Sequence, residues 1–303
     1  MNTYGRRTQR PKLKSVLHVA LFLVGIFSVF RLCQSYPGFG AHQPQRKIGK
    51  VMAIHGNNTV YERTLATHER QSRLSGYPLF VQRSPILDGY WNKLAVILSV
   101  MLQELAKPDD QRLQWLFWSD ADTVVMNPNI PLELFLPPPQ LPDIHLLLTK
   151  DWNGINNGVF PIRVHAWSVE FLTAALSYPI VHPDVPLFWP DQSAMHNLLS
   201  ENEYFARSVV YCPLRWFNAY MRSPDGEELN VDSAPEYQVH PGDLLVHFPG
   251  TPAENLEQTL TPYLGIAEAR RPEWEAALES TGYVKETEEF WRRLLPPPPL
   301  QDV

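Results

Sequence analysis

Cysteine is scarce in these 303 residues: there are two, Cys33 and Cys212. A disulfide scaffold and a cysteine-based zinc site are thereby excluded. Positive charge is sparse over most of the chain. Of 26 Lys and Arg, nine fall in residues 1–50, which hold no acid, leaving 17 bases against 32 acids in the remainder. A body that acidic repels a phosphate backbone, which argues against nucleic acid as a partner. No internal repeat is present. Aromatic residues, by contrast, are plentiful. Nine Trp, twelve Tyr and fourteen Phe, with 44% hydrophobic residues overall, exclude disorder for most of the length and supply a core. The 29 prolines are roughly twice the usual ~5% and imply many fixed turns.

One apolar run stands out. Arg6, Arg7, Arg10, Lys12 and Lys14 precede Val16 to Phe30, in which His18, Gly25 and Ser28 are the non-hydrophobic members, and Arg31 closes it. A spanning helix needs about 20 apolar residues and tolerates about 17. The run therefore reads as a short signal-anchor, with a cleaved signal peptide as its rival. The basic flank orients the tail to the cytosol and the body to the lumen. The expected layout is a cytosolic tail over 1–15, an anchor over 16–33, a stem over 34–47 and a catalytic domain over 48–303. Asn57-Asn58-Thr59 is a glycosylation acceptor if it is lumenal.

From Lys50 onward, strand and helix patterns alternate. Lys50 to Ile54, Pro78 to Val81, Trp115 to Trp118, Leu146 to Leu148, Val159 to Arg163 and Leu244 to Phe248 read as strands. Val60 to Leu74, Trp91 to Ala106, Ala166 to Leu176 and Gln192 to Leu199 read as helices, the last capped by Asp191. In the second of these, Leu94, Ile97, Leu98, Met101, Leu102 and Leu105 fall at helical spacing. Such alternation predicts an α/β domain with a largely parallel sheet.

The strongest chemical feature is Trp118-Ser119-Asp120-Ala121-Asp122. Two carboxylates at the carboxyl end of a buried strand lie where open α/β sheets bind ligands. A bulge there can turn both toward a divalent cation, which prefers carboxylate oxygens and substrate phosphates. Lys150 to Arg163, containing Asn153-Gly154, Asn156, Asn157 and Gly158, has two readings. It is a hairpin leading into a strand, or an amide-rich loop suited to sugar hydroxyls. Asp191-Gln192-Ser193 is either a plain helix cap or a catalytic carboxylate and amide at a helix start. His247 is either a satisfied strand histidine or an imidazole ligand. An oxygen-plus-nitrogen set with diphosphate oxygens suits Mn²⁺ better than Ca²⁺.

These four motifs, ending in Val246-His-Phe-x-Gly250, resemble glycosyltransferase family 34 in order and context over roughly residues 48–250. That family includes fungal α-1,2-galactosyltransferases, α-1,6-mannosyltransferases and plant xyloglucan xylosyltransferases. The resemblance implies a GT-A nucleotide-sugar transferase fold, a Rossmann-like mixed sheet flanked by helices, behind one N-terminal transmembrane helix. It also implies a nucleotide-sugar donor, Mn²⁺ (or Mg²⁺), retention of anomeric configuration and a single-pass type II Golgi anchor. By motif, Asp120, Asp122 and His247 would hold the metal. Ile54, His55 and Gly56 would border the nucleotide, with Lys93, Asp120, Ala121, Asn157 and Gly158 along the donor. Asp191 and Gln192 would stand at the reacting carbon.

The reading is a retaining, metal-dependent hexosyltransferase that moves galactose from UDP-galactose, in α-linkage, to a glycan on a Golgi glycoprotein or glycolipid. The alternatives are a GDP-mannose-dependent α-1,6-mannosyltransferase, an idle sugar-nucleotide-binding subunit of a transferase complex, and a secreted lectin.

Overall fold

The computed structural model describes residues 48–295. The tail, anchor and stem expected over 1–47 therefore lie outside the described residues. Among the described residues no helix is long and apolar enough to cross a membrane.

The chain runs through β1 (Ile48–Ala53), α1 (Thr59–Ser75), β2 (Leu79–Gln82), α2 (Trp91–Leu105) and β3 (Trp115–Ser119). Next come β4 (Thr123–Val125), β5 (Leu146–Asp151), β6 (Gly154–Asn156), β7 (Val159–Arg163), α3 (Ala166–Val181), α4 (Pro190–Glu201), α5 (Glu203–Ala206) and β8 (Val209–Cys212). The last stretch holds β9 (Ala219–Tyr220), β10 (Leu245–His247), α6 (Leu256–Ala269) and α7 (Tyr283–Leu294).

Two sheets result. In the larger one β2 and β3 flank β1, and β7 follows β3. Leu146 of β5 pairs with both Ile162 and Val209, and Thr149 with both Asn156 and Cys212, so β6 and β7 share one edge of β5 and β8 takes the other. The smaller sheet has the order β4-β10-β9.

The expectation of a largely parallel sheet is corrected. β1 with β2, β1 with β3 and β5 with β8 are parallel, whereas β3 with β7, β5 with β6 and β5 with β7 are antiparallel. The reason is local. A two-residue link, Trp152-Asn153, joins β5 to β6, and a parallel pairing needs a crossover of a dozen residues or more.

Alternation along β3 assigns the two cores. Leu116 and Trp118 face the layer made by α2, α3 and α4, with Leu94, Ile97, Phe160, Phe171 and Met195. Trp115 and Phe117 face the opposite layer, with Phe135, Trp216, Tyr283 and Trp291. Each such side chain contributes roughly 1.5–3 kcal/mol by leaving water. The smaller sheet packs Val124, Ala219 and Val246 on Leu260, Tyr263 and Leu264 of α6.

Three element details differ from expectation. Leu102 is exposed on α2, where buried Glu104 takes the inward position and accepts from Lys107 Nζ and the Leu113 N–H. Helix α3 runs on through Pro179 to Val181, and the His182 N–H closes it on Tyr178 O. Asp191 is not the cap of α4. Pro190 opens that helix, where a missing N–H costs nothing, and the Ser193 N–H donates to Trp189 O at 2.6 Å.

Lys50 is the one lysine on β1 and is buried, with Nζ donating to Gln71 Oε1 at 2.7 Å and His68 O at 3.3 Å. Burial pulls it from 10.5 down to about 7. A lowered folded-state value means the unfolded chain binds the extra proton between pH 7 and 10.5. Stability from this group is therefore complete above 10.5 and lost as pH falls to 7. Urea unfolding of wild type and Lys50→Met across pH 7–10 should show wild-type stability rising with pH relative to the variant, by at most ~1.4 kcal/mol per pH unit. Equal slopes would contradict a depressed Lys50.

Candidate active site

Two antiparallel registers assemble the site. Ser119 of β3 pairs with Val159 of β7, and one residue further the Asp120 N–H donates to Gly158 O at 2.8 Å. Thr123 of β4 pairs with His247 of β10, and the Phe248 N–H donates to Asp122 O at 3.0 Å. Residues far apart in sequence thus converge at the carboxyl end of β3. They line a cleft of about 340 Å³, within the range of small-ligand sites.

Lys93 enters from the first turn of α2. Its Nζ donates to Asp120 Oδ2 at 3.0 Å and to both Asn157 O and Asn157 Oδ1 at 3.1 Å, and stands 3.4 Å from Asp191 Oδ2. Burial alone would lower this ammonium; Asp120 and Asp191 outweigh it and hold Lys93 above its ordinary value. Asp120 Oδ1 accepts from Trp118 Nε1 at 2.7 Å. Burial pushes Asp120 up, Lys93 pulls it back, and neighbouring Asp122 adds to the rise, leaving it above the ordinary carboxylate value. Asn157 Nδ2 donates to Asp191 Oδ2 at 2.8 Å, and the Asn157 N–H to Gln192 Oε1 at 3.2 Å.

Of the residues expected at the site, Lys93, Asp120, Asp122, Asn157, Gly158, Asp191, Gln192 and His247 line this cleft. Ile54, His55, Gly56 and Ala121 lie outside its lining. Ile54 packs with Met52 and Leu65 in a small core that Ala121 joins. His55 Nε2 bonds Asn92 Nδ2 at 2.9 Å, and Gly56 turns the chain with φ 74°. The segment Asn153 to Gly158 closes a hairpin on β5, and Asn153, Asn156, Asn157 and Gly158 line the cleft.

Asp122 Oδ1 is 3.5 Å from His247 Nε2, and one ligand atom each from Asp120, Asp122 and His247 lie within 4.8 Å of one another. An ion about 2.1 Å from each ligand separates ligands by up to about 4.2 Å, so small side-chain shifts close the set. Proton bookkeeping supports the fit. The Gly158 N–H donates to Asn156 Oδ1, which fixes that amide's orientation. Asn218 Nδ2 must then donate to the same Oδ1 at 2.9 Å, and it also bonds Thr149 Oγ1 at 2.7 Å. Asn218 Oδ1 is therefore an acceptor, and His247 Nδ1, 2.7 Å away, must carry a proton. In its neutral form His247 then directs the lone pair of Nε2 toward Asp122, as a metal ligand requires. Gly158 leaves the room: a Cβ there would lie 2.1 Å from His247 Cε1.

Sequence reasoning missed Asn218, Tyr220 and Asp151. Asn156 Nδ2 donates to the Tyr220 hydroxyl at 2.8 Å, and that hydroxyl donates to Asp151. A two-residue strand, β9, places Asn218 and Tyr220 beside His247, and nothing in the pattern around them announces it.

Residues 139–257 match the galactosyl transferase GMA12/MNN10 family. The chain is 26% identical over 204 residues to a probable α-1,2-galactosyltransferase, gmh1, of Schizosaccharomyces pombe, covering 57% of this chain and 56% of that protein. It is 30% identical over 117 residues to galactomannan galactosyltransferase 1 of Cyamopsis tetragonoloba, covering 35% and 25%. The chain thus spans little more than half the first relative and a quarter of the second. Among solved structures, a glycosyltransferase involved in the glycosylation of the major capsid of PBCV-1 superposes with a TM-score of 0.52 at 20% identity, covering 71% of this chain and 98% of that one. That likeness is of fold: a mixed α/β sheet flanked by helices.

Isothermal titration of Mn²⁺ into the purified chain checks the assembly. Asn218→Leu, which removes the acceptor of His247 Nδ1–H, should weaken binding about 10–100-fold. Gly158→Ala, which displaces the imidazole, should do the same. Wild-type affinity in both variants would exclude His247 as a ligand.

Proposed function

We propose that this chain, whose residues 139–257 match the galactosyl transferase GMA12/MNN10 family, is a retaining galactosyltransferase of GT-A type that transfers galactose from UDP-galactose to a glycan. The observation that carries the reading is the charge of the cleft. Asp120, Asp122, Asp151 and Asp191 line it together with Lys93 as its lysine. A diphosphate can enter such a site only with a cation, and the two-carboxylate, one-imidazole set suits Mn²⁺. Bound there, Mn²⁺ would act as a Lewis acid that neutralises the departing diphosphate. The relatives, which include galactosyltransferases, supply the sugar. The N-terminal apolar run fits a Golgi anchor with the catalytic body in the lumen.

The chain's own residues then have distinct tasks. Lys93 joins Asp120 to Asp191 and fixes the floor of the cleft. Asp191 is held by Lys93 and by Asn157 Nδ2, which makes it a poor nucleophile. Same-face departure and attack therefore fit better than a covalent glycosyl-enzyme. The acceptor oxygen bonds to the anomeric carbon, the bond from that carbon to the diphosphate oxygen breaks with its electron pair, and the acceptor proton ends on the departing diphosphate. Gln192, whose Oε1 accepts from the Asn157 N–H, offers its amide dipole to the positive centre that develops.

Incubating the full chain with a panel of nucleotide sugars and Mn²⁺ tests the reading. UDP-galactose should be consumed in a metal-dependent reaction, and turnover of GDP-mannose instead would identify a mannosyltransferase. No turnover with any donor would leave a binding subunit. Asp122→Asn should cost at least ~10²-fold in kcat. Gln192→Ala should lower kcat with little change in donor KM. A mass-spectrometric Asp191–galactose adduct would overturn the same-face route.

A further inference from the structure

A second cavity of about 250 Å³ opens beside the cleft and shares Asn153, Trp189 and Gln192 with it. Its chemistry is different. The cleft carries four carboxylates and a lysine, whereas no Asp, Glu, Lys or Arg is among the described residues lining this groove. Amides and aromatics line it instead, with Asn197 and His196 on α4 and Phe188 and Trp189 at the approach to that helix. Phe188 is 84% exposed and Trp189 48% exposed. Trp152, on the hairpin tip and in the lining of the cleft, is 66% exposed. Large aromatic faces left in water beside a polar, uncharged lining are a signature of ligand contact.

A neutral pyranose matches that lining on both counts. One face of the ring presents C–H groups, which pack on aromatic rings, and its edge presents hydroxyls, which pair with amides and imidazole. A phosphate, a nucleotide or a charged peptide would find no compensating charge. The position is as telling as the chemistry. Gln192 lines both cavities, so a ligand in the groove lies next to the side chain placed at the reacting carbon. The arginine-lined cavity between α1 and α6 shares no residue with the cleft.

We propose that this groove is the acceptor subsite and receives an uncharged terminal hexose, its apolar face on Phe188 and Trp189 and its hydroxyls toward Asn153, Asn197 and His196. The proposal rests on the transferase reading of the adjoining cleft and adds to it where the acceptor lies and that it carries no charge at its terminal sugar.

Saturation-transfer NMR of the full chain with neutral methyl hexopyranosides (the α-mannoside, β-glucoside and β-galactoside) tests it without relying on turnover. At least one glycoside should receive saturation, strongest on the C–H protons of one ring face. Phe188→Ser should weaken it about 3–10-fold, the scale of one aromatic contact, and Phe188→Tyr should restore it. In turnover assays Phe188→Ser and Asn197→Ala should raise the acceptor KM and leave the donor KM in place. Equal glycoside binding by wild type and Phe188→Ser, or binding of none of the three, would overturn the proposal. A parallel titration with UDP and Mn²⁺ separates the two ideas: glycoside binding lost on Phe188→Ser, in a chain that takes no UDP, contradicts the donor cleft and not the groove.

Discussion

The bond from His247 Nδ1 to Asn218 Oδ1, 2.7 Å long, is the contact on which the candidate metal site, Asp120, Asp122 and His247, depends. Its direction is not free. It is dictated at the far end by a backbone donor, the Gly158 N–H, which makes Asn156 Oδ1 an acceptor and so forces each amide after it. Tyr220 and Asp151 close the other side of Asn156. A buried network satisfied at every member holds one arrangement, whereas a half-satisfied one would be worse than an apolar core. This network converts strand register into a lone pair aimed at Asp122.

The same registers explain why the sheet had to depart from the parallel pattern. β7 runs antiparallel to β3, and β10 antiparallel to β4. The first pairing lays Gly158 against Asp120, and the second lays Phe248 against Asp122. In a parallel pairing Gly158, at the start of β7, would lie at the amino end of β3 and away from Asp120. Lys93 then binds the remaining corner by joining Asp120, Asn157 and Asp191.

Much of this was legible in residue order. The unbroken apolar run Trp115 to Trp118 announced a buried strand, and the carboxylates after it pointed to the ligand end. Asn157, Gly158, Asp191, Gln192 and His247 were readable because polar or flexible residues interrupt apolar segments there. The sheet direction was misread, since periodicity reports burial and says nothing of pairing. Asp191 was misread as a cap because Pro190 shifts the helix start two residues earlier. Asn218 and Tyr220 were invisible, because a two-residue strand has no period and their partners are brought in by tertiary structure alone. Asp151 was hidden in the same way, its role defined by Tyr220, 69 residues further on.

The account turns on the claim that the fold fixes His247 as the Nδ1–H tautomer before any cation arrives. Long-range ¹H–¹⁵N correlation spectra of the metal-free chain, recorded above the histidine titration range, report the tautomer directly. The account predicts a protonated Nδ1 and an unprotonated Nε2 at His247. A protonated Nε2 would contradict it, because the ligand lone pair would then point at Asn218 and away from the two carboxylates.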